Sequence, residues 1–69
     1  MERIKEDKLV IIVDVYDNYS EDIFNALRLK NIIKNSDYKY DFWIDDVELT
    51  FCNIEIFNKA KKVLKKFMK

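Results

Sequence analysis

Apolar and polar residues alternate along Tyr38-Lys39-Tyr40-Asp41-Phe42-Trp43-Ile44, and again along Val47-Glu48-Leu49-Thr50-Phe51. A strand points successive side chains to opposite faces, so a period of two predicts two half-buried strands. With Asp45-Asp46 as a tight turn, Ile44 faces Val47, Phe42 faces Leu49 and Tyr40 faces Phe51. Tyr38 and these residues then share one face, as a hairpin register demands. Trp43 falls on the opposite face, beside Lys39, Asp41, Glu48 and Thr50. Asp-Asp lacks the glycine that tight hairpin turns favour, so a longer loop stays open as an alternative.

Upstream, Lys8 to Tyr16 is β-branched and nearly continuously apolar, the pattern of a strand partly covered on both faces. Asp17-Asn18 breaks it. Ser20 reads as a helix N-cap, with Glu21 and Asp22 in the first turn, where carboxylates suit the helix dipole. Tyr19 and Phe24 fit a hydrophobic staple around that cap. The spacing predicts a helix over 21–34. Ile23, Ala26, Leu27, the stem of Lys30 and Ile33 face inward, and Leu29 and Ile32 widen the stripe. Asn35-Ser36-Asp37 ends it. From Asn53, a second cap, the period changes to that of a helix, with Ile56, Phe57, Ala60, Val63, Leu64 and Phe67 on one side.

The order β-α-β-β-α predicts a two-layer α+β fold, a three-stranded mixed sheet with two helices on one face. The mixed character comes from the strand-helix-strand crossover, which makes the first strand parallel to a hairpin strand. A chain of 69 residues makes one domain, 1–69, with a thin stability margin. Its hydrophobic fraction of 49% supports a core and argues against disorder.

Composition narrows the chemistry. The chain has no glycine, no histidine and no proline. A phosphate-cradling loop needs backbone without a Cβ, and a Ser-His or Cys-His pair needs an imidazole, so these classes are excluded. The single cysteine, Cys52, can form no intrachain disulfide, which fits a reducing compartment. It reads as a small semi-buried hydrophobe. The charged start, Glu2 to Lys8, does not resemble a signal peptide, and the longest apolar run is too short to span a bilayer. The expected location is cytoplasmic, with no membrane association. Lysine outnumbers arginine eleven to two, and Ile, Asn, Lys, Tyr and Phe are abundant. Those residues have AT-rich codons, which points to an AT-rich bacterium or its phage.

Charge is polarised. Residues 58–69 carry a net +6 and residues 9–57 a net −6. A basic helix bearing Lys62, Lys65, Lys66 and Lys69 can neutralise phosphates, which makes nucleic-acid binding the alternative reading. The same lysines also form the polar face that any amphipathic helix needs. Carboxylates are the remaining chemical currency. Asp14 and its acidic neighbours could hold a hard cation, the remote alternative being a metal-dependent nuclease. Turn-forming aspartates explain most of them more simply.

Trp43 stands out. Val10, Ile12 and Tyr16 could join it on a sheet face that a two-layer fold leaves open, and aromatic residues on polar-rimmed surfaces are enriched at interfaces. The expectation is a non-enzymatic protein-binding module, without cofactor, metal or catalytic residues. It would contact its partner through Trp43, Tyr16, Asp41, Asp45, Asp46 and Glu48. An inhibitor carried by a phage or mobile element, blocking a host protein, is the narrower form of this expectation. Self-association into a homodimer across the same face is its structural variant.

Overall fold

The computed structural model describes residues 3–68. It contains four strands, β1 (Ile4–Lys5), β2 (Val10–Asp14), β3 (Tyr38–Phe42) and β4 (Asp46–Phe51), and two α-helices, α1 (Ser20–Arg28) and α2 (Ile54–Leu64). Short 3-10 turns follow β1 and α2. The fold is α+β, with the strands in the order β1-β2-β4-β3 and every neighbouring pair antiparallel.

The sheet therefore differs from the expected three-stranded mixed one in two ways. The charged N-terminal segment adds a fourth strand, β1, whose two residues are too few to show a period. The crossover from β2 through α1 does make β3 parallel to β2. However, β4 returns between them, so β2 and β3 are not hydrogen-bonded neighbours.

Both helices cover one face. Ile11 and Val13 of β2, Tyr38 of β3, and Val47, Leu49 and Phe51 of β4 meet Ile23 and Leu27 of α1 and Phe57, Ala60 and Leu64 of α2. All are buried, and fully burying a side chain such as Phe57 or Leu64 contributes about 1.5–3 kcal/mol. The α2 face matches the periodicity. Asn53 caps the helix as expected, its Oδ1 accepting from the Ile56 amide at 2.9 Å.

Helix α1 departs from its prediction at both ends. Ser20 is already helical, and Tyr19 holds the cap position with no side-chain hydrogen bond. Tyr19 is exposed while Phe24 packs against β3, so no staple forms. The helix stops at Arg28 because Asn31 takes a left-handed backbone, φ 63°. The Ile32 amide then donates to the Leu27 carbonyl at 3.0 Å and the Asn31 amide to that of Arg28 at 2.9 Å. This is a Schellman stop with asparagine where glycine is usual, and Ile32 is buried beside Leu27 as the motif's apolar contact. Ile32 thus joins the core from beyond the helix, while Leu29, Lys30 and Ile33 remain exposed.

The hairpin keeps its predicted face but pairs two residues away from the predicted register. Phe42 lies opposite Val47, Tyr40 opposite Leu49 and Tyr38 opposite Phe51. Ile44 and Asp45 form the turn, closed by the Trp43 amide donating to the Asp46 carbonyl at 2.8 Å. Neither turn residue has positive φ, so no glycine is missed there. A slip of two preserves side-chain orientation, which is why periodicity could not distinguish the registers. The slip leaves Ile44 97% exposed, and Asp46 enters β4 opposite Asp14.

The described residues include no helix long and apolar enough to cross a membrane.

Candidate interaction surface

On the face away from the helices, cross-strand partners form rows. Lys5, Val10, Thr50 and Lys39 make one, and Ile12, Glu48 and Asp41 another. Arg3 extends the second row, because its carbonyl accepts from the Ile12 amide at 2.7 Å. Its guanidinium reaches across β2 to the carboxylate of Asp46 on β4. Val10 and Ile12 lie between these long polar side chains and are only 7% and 5% exposed. They do not join Trp43 in an open apolar face. Arg3 and Lys5 flank the middle of that face, a role that polar side chains with long apolar stems perform well.

Five exposed large apolar side chains lie instead at one end of the sheet, while Leu29, Ile33 and Ile54 are exposed elsewhere. Trp43 is 63% exposed and Phe42 52%, and Ile44, Tyr16 and Tyr19 project further. The hairpin tip and the β2–α1 connection meet there, tied by the Val15 amide donating to the Asp45 carbonyl at 2.8 Å. Phe42 belongs to this group, contrary to its expected burial, because β3 is an edge strand whose last residue runs past the core. Tyr40 is half-buried, whereas Leu49 and Phe51 are buried as expected.

Acidic groups surround this end. Asp17, Asp41 and Asp45 are exposed, and Glu21 and Asp22 lie in the first turn of α1. Asp46 is engaged by Arg3, and Glu48 sits opposite Asp41 and Ile12 on the face away from the helices. Of the six residues expected to bind a partner, Trp43, Tyr16, Asp41 and Asp45 are exposed, and Asp46 and Glu48 are half-buried. Sequence reasoning missed Ile44, Phe42 and Tyr19. The first two were hidden by the register and the third by the expected staple.

Asp14 has a local explanation. Its carboxylate accepts from the amides of Tyr16 at 2.8 Å and Asp17 at 3.3 Å, the turn role short acidic side chains favour. Asn18 fastens the same loop to the end of the chain, its Nδ2 donating to the carbonyls of Asp14 and Phe67. Among the described residues, no three acidic or cysteine side chains gather around a common point. Cys52 is exposed rather than semi-buried.

The basic helix runs back toward the β2–α1 connection, where the Phe67 carbonyl accepts from Asn18. Lys61 pairs with Glu6 at 2.6 Å, and this ammonium holds the Glu6 carboxyl below its usual range. Lys62 and Lys65 line a shallow groove with Ile4, Asn58, Lys61 and Met68. Lys66 stacks on the ring of Phe67 at 5.3 Å, and Lys69 lies outside the described residues. A second groove, of about 490 Å³, runs between Arg3, Ile12, Asn18 and Phe67.

The edge of β3 is partly open. Trp43 and Asp46 form a hydrogen-bonded pair, and such pairs recur at every second position of an antiparallel ladder. The backbone groups of Tyr40 and Phe42 therefore point away from the sheet. At Tyr38 the edge is occupied, because Lys34 bridges it and the Asn35 amide donates to its carbonyl at 2.8 Å.

No protein-family model, curated protein or solved structure matches this chain.

Proposed function

We propose that this chain is a non-catalytic binding module that docks another protein through the end of the sheet where the hairpin tip meets the β2–α1 connection. One observation carries the reading: Tyr16, Tyr19, Phe42, Trp43 and Ile44 are all exposed at that end. Leaving large apolar side chains in water has no benefit for folding, and several at one end of a sheet are the kind of exposure that marks interaction sites. The surrounding aspartates favour a partner whose contact surface is apolar with basic residues at its rim. The narrower role, a phage or mobile-element inhibitor of a host protein, belongs to the same proposal and rests on size and composition.

The test pairs stability with association. A partner is first captured with the wild-type chain and purified, and self-association is followed by sedimentation. Trp43→Ala should weaken binding by at least about 2 kcal/mol, as hot-spot tryptophans do, while stability changes by less than about 0.5 kcal/mol. A large stability loss with unchanged association would make Trp43 a structural residue and remove the reading's support. Tight nucleic-acid binding that weakens steeply with salt and disappears in Lys62→Glu/Lys66→Glu would favour the basic helix instead.

A further inference from the structure

We propose that Phe24, Tyr40 and Phe42 form a seat for an organic cation, and that Lys34 fills it in the resting chain. Phe24 comes from α1 and the other two rings from the edge strand β3. The Phe24 and Tyr40 centroids are 5.0 Å apart with planes inclined by 55°. Phe42 stands nearly perpendicular to both, 5.6 Å from Tyr40 and 6.3 Å from Phe24. Phe24 and Tyr40 make a corner rather than a stack, so their electron-rich faces can converge on one charge, while Phe42 packs edge-to-face beside them.

A cation is already held there. The Lys34 ammonium lies 4.7 Å from the Phe24 centroid and 5.4 Å from that of Tyr40, both inside the range for cation–π attraction. Lys34 belongs to neither helix, its side chain is exposed, and among the described residues its ammonium makes no ion pair. The rings are the groups that hold it, and an exposed contact of this kind is weak and exchangeable. A quaternary ammonium is less strongly hydrated than a lysine, so it gives up less on meeting the rings and should displace Lys34. On a protein partner the matching group is a methylated lysine. The seat lies on the helix side of β3, one residue along the chain from Trp43, and only this source of the cation rests on the docking reading above.

The experiment is a titration of the full chain with choline, followed by NMR of the aromatic ring protons. The neutral carbon isostere 3,3-dimethylbutan-1-ol serves as the control, at matched ionic strength. Choline should shift the Phe24, Tyr40 and Phe42 resonances saturably in the millimolar range, and the isostere should not. Lys34→Ala should tighten choline binding by about two- to fivefold by removing the internal competitor. Phe24→Leu should abolish it in chains that remain folded by circular dichroism. An equal response to the isostere, no saturable response, or unchanged affinity in Lys34→Ala would each overturn the proposal. Trp43→Ala should leave choline binding intact, so failure of the docking reading and failure of the cation seat give different results.

Discussion

Replacing Tyr38 by phenylalanine should stabilise this protein. Tyr38 is 2% exposed, stacked near Phe24 at 6.3 Å and tilted against Phe51 at 5.4 Å. Among the described residues its hydroxyl is buried without a hydrogen-bond partner. In the unfolded chain that hydroxyl is hydrated, so folding strips its water and returns nothing. Leaving a buried polar group unsatisfied costs about 1–3 kcal/mol. Tyr38→Phe keeps the ring and removes the penalty, so a gain of about 1 kcal/mol is expected. In a domain of this length that raises Tm by about 4–8 °C. The measurement is paired thermal and urea unfolding of the two chains at neutral pH. The pH dependence gives a second readout. Burial, and then the neighbouring Tyr40, push the Tyr38 phenol from its ordinary value of 10.0 up to about 12. Between those values the unfolded chain loses the Tyr38 proton and the folded chain keeps it. Stability from this group is therefore full below pH 10 and declines as the pH rises toward about 12. Tyr38→Phe should remove that part of the alkaline loss. If the variant is instead less stable by about 1 kcal/mol, the hydroxyl has a partner such as a buried water, and the reasoning fails.

Other substitutions separate the parts of the fold. Asn31→Gly should be neutral or slightly stabilising in urea unfolding, whereas Asn31→Ala should cost about 1 kcal/mol, because only the first relieves the left-handed backbone. Equal effects of the two would show that the helix stop does not depend on that conformation. Phe57→Ala should cost about 3–5 kcal/mol and leave much of the population unfolded by circular dichroism. Phe42→Ala, at a half-exposed edge position, should cost no more than about 2 kcal/mol, and a loss as large as that of Phe57→Ala would contradict its placement.

Much of the fold was legible in the chain because side-chain period is a local property. The alternation from Tyr38 to Phe51 determined which side chains turn toward the helices. The helical spacing after Asn53 determined that Phe57, Ala60 and Leu64 form the inner face of α2. The absence of glycine and histidine limited the chemistry without any structure. What the sequence left open involves relations between distant segments, or local geometry with an unusual residue in a familiar role. A two-residue slip leaves a period of two unchanged, so only the assembled sheet decided that Phe42 lies opposite Val47 and that Ile44 occupies the tip. Asn31 was easily read as helical, because the left-handed stop is usually signalled by glycine. β1 is too short and too charged to carry a pattern, and Arg3 became structural only once β2 and β4 lay side by side. The candidate surface followed the same division. Trp43 was visible as an outward aromatic between polar neighbours, but its companions Phe42, Ile44 and Tyr19 were decided by tertiary structure. Exposure depends on where the sheet ends and the helices stop covering it, and that boundary is set by packing between segments far apart in the chain.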